Sequence, residues 1–474
     1  MALPGLPNQP ILRTNRLTLN PALLFTPALT VRPEPRAMNK YSQPINLWMI
    51  AGLISLCLAT SGCGVFRKTT RVLMPTPICI SAGLPHPGGD FLEPCGCSDD
   101  ELPVFVISGR NVLSDPDGLN PFGIKRTHQL TTGVAYVKIG EGLTAEQLHR
   151  ETTTDIKQKK AKVEFSRIEL DPMTDEAEPW CVGNDVAGYG HHQFVQAIRD
   201  QLEKTGSRQA TIFVHGYNTE FIDNTLLAGE IFHYLGRRGA MISFEWPSES
   251  RLLGYVADKG NASYSTRHFR AIIANLAKEC DVESITIVAH SAGSPIVVNA
   301  LRELRLLDFD QTAKELQAKY RIRRVVLAAP DMDMMAFINA VKDRFHDIAG
   351  QVAVYASPND RALRASEIIY GNNRLGRSVG KVADWEREAL SQIPQIELID
   401  ASVAENVYRN FTGHSYFHRD PWVSSDIGAF ILGLDPESRG LVPAEDTLFW
   451  EFPTDYPARL KAKASQSLSF DSTF

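Results

Sequence analysis

The chain has little that would mark it as a membrane-spanning, nucleic-acid-binding or repeat protein. Its apolar stretch from Leu47 to Thr60 spans about 14 residues, which is short for a transmembrane helix. It has no dense block of lysine and arginine and no solenoid-type repeat, and its net charge is -6. What remains is an ordinary globular composition, 43% hydrophobic and 22% charged, in 474 residues that can bury a full core.

Cysteine is also scarce, with seven residues in the chain. Beyond Cys57 and Cys63, which belong to the N-terminal region, the others are Cys79, Cys95, Cys97, Cys181 and Cys280. An oxidising compartment permits pairing among the first four of these, and their odd total leaves at least one thiol free. We expect Cys280, which ends an amphipathic helix, to be a core residue. The Cys-Gly-Cys run has no second ligand pair at zinc spacing, so the sequence predicts no metal site.

The start of the chain indicates export to the bacterial cell envelope. The run LATSGC, which ends at Cys63, resembles a lipobox, the signal at which bacterial lipoproteins are cut and lipidated, with Thr60 where leucine is preferred. Residues 1–37 are Pro-rich and unlike a signal peptide, which makes Met38 a candidate start. We therefore expect a leader and lipoprotein-type signal over residues 1–63 and a membrane-anchored protein. An uncleaved N-terminal anchor is the alternative, and it also places most of the chain outside the cytoplasm.

Between residues 102 and 434, short β-rich apolar runs alternate with helical periodicity. This alternation favours an α/β class, with a mainly parallel sheet and helices on both faces. Residues 64–101 are rich in proline and glycine and predict a tether, residues 435–474 predict a polar tail, and the charged segment 152–185 predicts a surface insertion or crossover. The predicted strands are Val104–Ile107, Ala210–Val214, Met241–Phe244, Ile285–Val288, Arg324–Ala328, Val352–Tyr355 and Ile396–Ile399. The predicted helices include one through Phe194, Ile198 and Leu202, ending near Gly206, and one through Phe269, Ile272, Ile273 and Leu276.

The most informative residue is Ser291, which follows the predicted strand Ile285–Val288. The residues two before and two after it, Ala289 and Gly293, are small, and a helical pattern begins past Pro295. This arrangement is typical of a nucleophile elbow, a sharp strand-to-helix turn that exposes the serine hydroxyl. Ala289 is one methyl group larger than the glycine of the tightest elbows.

A serine hydroxyl attacks a substrate only when a base takes its proton and an acid orients that base. Chains with this elbow order the three residues Ser, acid, His. Asp360 and His414 supply that order, and each follows a predicted strand, so both would lie at the same sheet edge as Ser291. The alternative candidates are Asp331, Asp333 and Asp400 for the acid and His418 for the base.

The oxyanion that forms in such a reaction needs two N–H donors. The amide of Ala292, directly after the nucleophile, is one candidate. The amide of Tyr217, in the loop after an earlier strand, is the other. Together, these two would complete a serine-hydrolase site.

Four ring-bearing residues lie near these motifs. We expect His215 to bond within its own loop and His290 to be a packing residue. Trp246 and Tyr255 have two interpretations, as walls of an acyl pocket or as residues of the core.

Taken together, the motifs resemble the bacterial α/β-hydrolases of unknown function, an esterase- and lipase-like branch. The matching segments keep the family's order over residues 102–434 and are Phe213–Asn218, Trp246–Ser248 followed by Tyr255 and Asp258, Ala289–Gly293, Ala329–Asp333, Ser357–Asp360 and Gly413–Tyr416. The resemblance implies an α/β-hydrolase fold with Ser291 as nucleophile and His414 as base, and it implies no substrate. Ala292 stands where methionine is more usual, which leaves its N–H in place and more room in the acyl pocket.

The sequence thus predicts a membrane-anchored serine hydrolase that cleaves carboxylic esters through an acyl-enzyme on Ser291, with no metal or organic cofactor. Its predicted partners are a small-molecule or lipid ester and a membrane, with no nucleic acid. Amide or thioester cleavage would use the same residues. The alternative is a catalytically silent scaffold that binds an envelope partner or lipid. The presence of Ser291, Asp360 and His414 together argues against it.

Overall fold

A computed structural model describes residues 69–82, 101–113, 119–154, 161–171, 189–248, 255–405, 413–445 and 448–467. Several predictions fall outside these ranges: the leader and lipidation site over residues 1–63, with Cys63, and the pairing of Cys95, Cys97 and Cys181. Cys280 is fully buried, as expected, and Cys79 is free and half-buried.

Apolar runs of five to eight residues form the central strands of a twelve-stranded sheet within the described residues, with two longer strands toward one edge and strands of two or three residues at both edges. In chain order the strands are β1 Thr70–Val72, β2 Glu101–Val112, β3 Phe122–Ile139, β4 Lys162–Leu170, β5 Gln209–Val214, β6 Ala240–Glu245, β7 Ser284–His290, β8 Ile322–Ala328, β9 Ala349–Ala356, β10 Ile396–Asp400, β11 Val442–Pro443 and β12 Phe449–Glu451. Across the sheet they run β1-β4-β3-β2-β6-β5-β7-β8-β9-β10-β12-β11. Neighbours from β2 to β12 are parallel, and the pairs outside that span are antiparallel.

Helices cover both faces of this sheet, because the central strands are apolar on both sides. In β7, Ile285 and Ile287 pack into one core and Val288 into the other. The helices are α1 Ile78–Ser81, α2 Ala145–Thr153, α3 Tyr189–Thr205, α4 Phe221–Tyr234, α5 Tyr255–Glu279, α6 Ser294–Leu307, α7 Ala313–Tyr320, α8 Met334–Lys342, α9 Arg361–Tyr370, α10 Asp384–Ser391, α11 Tyr416–Arg419, α12 Pro421–Leu432 and α13 Tyr456–Ser467. Helices α3, α5 and α6 bury apolar residues in the first core, and α4 and α12 do so in the second. The predicted fold class, a mainly parallel α/β sheet between helices, is confirmed. None of the described helices is both long and apolar enough to span a membrane.

The sheet extends further than the sequence predicted. The segment 152–185, interpreted as an insertion, contains β4, in which Val163 and Phe165 are buried on one side while the other side carries charged residues. The predicted tether contributes β1, which pairs with β4, and the predicted tail contributes β12, which pairs with β10. These edge strands are short or heavily charged, so periodicity alone did not reveal them.

Candidate active site

The turn after β7 holds Ser291 in a strained backbone conformation. Its φ is 52°, in the left-handed region that residues other than glycine rarely adopt, and the residue is 4% exposed. A Cβ on Gly293 would stand 2.5 Å from the carbonyl oxygen of His215, so only glycine fits there. This is the geometry of a nucleophile elbow, with helix α6 beginning directly behind the serine.

Ser291, His414 and Asp360 form one hydrogen-bonded chain. His414 Nε2 lies 2.8 Å from Ser291 Oγ, and His414 Nδ1 lies 2.6 Å from Asp360 Oδ2. Because a carboxylate only accepts, Nδ1 carries the imidazole proton, which leaves Nε2 free to accept the serine proton. That tautomer is the one a general base requires.

Asp360 is held rigidly for this task. It is fully buried, and its Oδ1 accepts a hydrogen bond of 2.9 Å from Leu363 N as the N-cap of α9. Burial alone would lower the pKa of His414, but the Asp360 carboxylate outweighs it and raises that pKa above 6.5. The charged form of the His414 ring is therefore stabilised.

None of the alternative acids takes the place of Asp360 beside His414 Nδ1, although the charge of Asp331 also helps to raise the His414 pKa. Asp331 accepts a hydrogen bond from Ser366 Oγ at 2.7 Å, Asp333 caps α8, and Asp400 accepts from Ser402 N at 2.8 Å. His418 is buried on the other side of the loop, and burial lowers its pKa well below 6.5. Asp360 lies within hydrogen-bonding distance of the His414 ring.

His290 supports the loop that carries His414. Its Nε2 donates to the His414 carbonyl oxygen at 3.2 Å, and its ring lies 4.6 Å from that of Phe417. Burial and the neighbouring His414 lower the pKa of His290 to about 3, so it stays neutral. It packs beside the site, as the sequence led us to expect.

The loop after β5 touches the nucleophile. A Cβ on Gly216 would lie 2.9 Å from the Cβ of Ser291, so the backbone that leads into Tyr217 passes directly beside the serine. The structure thus brings together the Tyr217 and Ala292 segments, and their N–H donors stay predictions.

A buried polar network holds this loop, and sequence reasoning missed most of it. His215 Nδ1 donates to the Gly216 carbonyl at 2.8 Å, which leaves its Nε2 to accept from Arg110 Nη2 at 3.3 Å. Arg110 also donates to the Thr219 carbonyl at 2.9 Å, and Glu245 lies 3.7 Å away to balance its charge. The available signal was a charged residue within an apolar strand: Arg110 in β2 and Glu245 at the end of β6.

Trp246 packs in the core beneath the loop after β5. It is fully buried, stacks on His215 with ring centres 5.1 Å apart, and donates from Nε1 to the His215 carbonyl at 2.8 Å. The structure therefore supports the core interpretation, in which the buried indole holds the loop that follows β5. Tyr255 begins α5, and its side chain lies outside the described part of the chain.

A cavity of about 300 Å³ opens beside the elbow. Its lining includes the polar residues Lys259, Ser263, Asn299 and Asp331, although most of the exposed wall is apolar, and Ala292 lies on the side of Ser291. Among the described residues, no group of three or more His, Cys, Asp or Glu side chains is arranged to hold a metal ion. The chemistry on offer is that of a hydroxyl nucleophile with its base and acid.

The chain was compared with curated proteins and with solved structures. No curated protein matches the chain. Solved structures that resemble it include esterase B from Lactobacillus rhamnosis (12% identity over 56% of this chain and 80% of that one, TM-score 0.28) and a predicted CIB-like hydrolase from Thermoplasma acidophilum (15%, 48% and 88%, TM-score 0.28). Another is the esterase Pf2001 of Pyrococcus furiosus (13%, 48% and 83%, TM-score 0.28).

The family match covers the elements that carry the site. A family model described as "Alpha/beta hydrolase of unknown function (DUF900)" matches residues 191–430. These residues include β5 to β10 and all three members of the hydrogen-bonded chain. The match spans half of the chain and confirms the resemblance found in the sequence. The protein belongs to this family of alpha/beta hydrolases of unknown function.

Proposed function

We propose that this protein is a serine hydrolase that cleaves carboxylic esters through an acyl-enzyme. The observation that carries the proposal is the contact of Ser291 Oγ with His414 Nε2 at 2.8 Å, backed by Asp360 at 2.6 Å from the same ring. A scaffold without catalytic activity would have no use for a strained serine aligned with an oriented base.

In this proposal His414 takes the proton of Ser291 as the hydroxyl attacks the ester carbonyl carbon. The amides of Ala292 and Tyr217 stabilise the oxyanion, and His414 returns the proton to the leaving alcohol. Water, activated by the same histidine, then attacks the acyl-enzyme and releases the acid. Ser291 is regenerated, and the cycle needs no cofactor.

The size of the cavity beside Ala292 supports small acyl groups on the ester. Its volume of about 300 Å³ is at the lower end for ligand pockets. A long alkyl chain would extend beyond this space and leave part of its apolar surface in water. We expect acetyl and butyryl esters to be cleaved faster than palmitoyl esters.

Fluorophosphonate labelling of the full chain tests the proposal. One adduct by intact mass on the parent and none on Ser291→Ala, together with loss of p-nitrophenyl acetate turnover in the variant, is the expected result. Ser294→Ala, which alters a buried serine one turn further along, is the control and should label like the parent. A folded parent that takes no adduct would favour the silent scaffold.

We also propose that a lipid on Cys63 holds the protein at a membrane of the bacterial envelope. The support is the lipobox-like run that ends at Cys63. Growth with an alkyne-bearing fatty acid should label the parent and leave Cys63→Ser unlabelled. Equal labelling of both would refute the lipid attachment.

A further inference from the structure

Two residues of the motifs identified in the sequence have no role in the reaction described above: Ser248, which follows β6, and Asp258 in α5. Ser248 is fully buried and Asp258 is 2% exposed. Burying a hydroxyl or a carboxylate is unfavourable unless the group is hydrogen-bonded. Their hydrogen-bond partners therefore indicate what these two side chains do.

Ser248 joins the loop after β5 to helix α5 through one hydroxyl group. Its Oγ donates to Asp258 Oδ2 at 2.7 Å and accepts from the backbone N–H of Asn218 at 2.9 Å. A hydroxyl has one proton and a carboxylate only accepts, so the bond to Asp258 fixes the direction of that proton. The lone pairs of the Ser248 oxygen are then left to face the Asn218 N–H.

The loop that Ser248 contacts has a strained backbone. The φ of Asn218 is 54°, in the left-handed region that residues other than glycine rarely adopt. The bond from its N–H to Ser248 fixes the peptide that follows Tyr217. The peptide that precedes Tyr217 is fixed as well, since the Gly216 carbonyl accepts from His215 Nδ1 at 2.8 Å. Both peptides that flank Tyr217 are thus held in place.

These two peptides lie beside the nucleophile. A Cβ on Gly216 would lie 2.9 Å from the Cβ of Ser291, and the amide of Tyr217 belongs to the same peptide as the Gly216 carbonyl. In the reaction proposed above, that amide is one of the two donors to the oxyanion. An oxyanion donor is effective only where its N–H points at the developing charge, so a shift of the loop would weaken it.

We propose that Ser248 and Asp258 are positioning residues of the oxyanion site. Asp258 orients the Ser248 hydroxyl, and this hydroxyl holds the Asn218 N–H. The Tyr217 amide is thereby kept in line with the carbonyl oxygen of the ester. Both side chains act through the backbone of the loop. This role rests on the proposed esterase activity, because the oxyanion forms only in that reaction.

Ser248→Ala removes the hydroxyl and with it both hydrogen bonds. Acylation and deacylation each pass through an oxyanion, so kcat for p-nitrophenyl acetate should fall about 10- to 100-fold while KM stays within about twofold of the parent. The inhibition constant of a short-chain trifluoromethyl ketone, which forms an oxyanion on Ser291, should rise by a similar factor. The midpoint of the pH profile should not move, because His414 and Asp360 are unchanged.

The control is Ser265→Ala, which removes a fully buried hydroxyl from α5. The Oγ of Ser265 donates to the Asn261 carbonyl at 2.7 Å, within its own helix, so this variant should keep the kinetics of the parent. Asp258→Asn is a second test with nearly the same side-chain shape. Its amide can donate to Ser248 Oγ and compete there with the Asn218 N–H, so kcat should again fall at unchanged KM, by less than in Ser248→Ala.

Hydrogen exchange of the peptide that contains residues 213–219, measured by mass spectrometry on the full chain, examines the loop without any turnover. Exchange should be faster in Ser248→Ala than in the parent and in Ser265→Ala. Unchanged exchange in folded Ser248→Ala, faster exchange with the kcat of the parent, or a change in KM alone would overturn the proposal.

The two proposals can be told apart when they fail. A parent that takes no fluorophosphonate adduct and cleaves no ester would refute the proposed function, and the oxyanion role of Ser248 with it. A parent that is labelled and active, beside a Ser248→Ala variant with the same kcat, would refute the positioning role alone.

Discussion

Three neighbouring histidines have been given different electrostatic environments. His414 faces the Asp360 carboxylate, which raises its pKa, whereas burial, together with neighbouring basic side chains, lowers the pKa of His290 and His418. Only His414 therefore changes charge in the range where a general base works. The environment of each ring, rather than its residue type, assigns its role.

Activity should depend on pH through His414. The base must be neutral, and its pKa lies above 6.5, so kcat/KM should fall as the pH drops through a midpoint above 6.5. Asp360→Asn removes the negative charge that raises the pKa of His414, while the burial that lowers this pKa remains. The midpoint should therefore move below 6.5, and kcat/KM should fall by up to about 10⁴-fold. Profiles with p-nitrophenyl acetate measure both effects. A midpoint that does not move would contradict the role of Asp360.

The size of residue 292 should control the acyl group. Ala292→Met keeps the backbone N–H but extends into the cavity of about 300 Å³ beside the elbow. We expect kcat/KM for butyryl esters to fall by about tenfold relative to acetyl esters, which corresponds to about 1.4 kcal/mol. Competition between p-nitrophenyl acetate and butyrate measures the ratio. An unchanged ratio would place the acyl group elsewhere.

At the scale of elements, the elbow depends on close contact between β5, β7 and α6. The backbone at Gly293 packs against the carbonyls of Val214 and His215, and Gly216 packs against Ser291. The ends of β5 and β7 and the start of α6 are thus in close contact, and this packing maintains the positive φ of Ser291. The conformation of Ser291 thus comes from packing around a short turn.

Gly293→Ala should destabilise the protein. Its Cβ would meet the His215 carbonyl oxygen at 2.5 Å, so the turn must shift, and we expect a loss of about 1–3 kcal/mol in the free energy of unfolding. Turnover should fall as well, because Ser291 moves with the turn. Urea denaturation measures the stability, with Gly260→Ala as control, where an open helical site should gain up to about 1 kcal/mol. Equal stability of the two variants would refute the packing argument.

At the scale of the molecule, the C-terminal segment is tied into the sheet by a buried charge network. Arg439 is fully buried and donates to Asp426 Oδ1 at 2.8 Å and to Glu397 Oε2 at 2.8 Å, which joins it to α12 and β10. Tyr355 OH donates to the other oxygen of Asp426 at 2.7 Å. Arg439, which lies beyond residue 434, is thus part of the folded core.

Arg439→Leu should destabilise the whole protein. It leaves Asp426 and Glu397 buried without their countercharge, which costs about 3–5 kcal/mol when one partner is removed. Arg459→Leu, which breaks an ion pair with the exposed Asp455, is the control and should change stability by less than about 1 kcal/mol. Thermal and urea unfolding measure the stability of both variants. Similar losses in the two variants would show that burial of the network does not matter.

The amino-acid sequence by itself determined the central strands β5 to β10, the elbow around Ser291 and the order Ser, Asp, His. These features are local: apolar runs, small residues two positions from a serine, and turn residues at strand ends. Strands β1, β3, β4, β11 and β12 escaped prediction. The first half of β3 is polar and exposed, and the other four are short or charged, so these patterns become strands only by pairing with a neighbour.

Only the tertiary structure decided which side chains meet. Asp331, Asp333, Asp360 and Asp400 look alike in the sequence, and a distance of 2.6 Å to His414 separates Asp360 from the rest. The Arg110 network, the buried position of Trp246 and the hydrogen bond between Asn218 and Ser248 also depend on residues far apart in the chain. Local patterns encode spacing along one element, whereas contacts between elements depend on how the whole sheet packs.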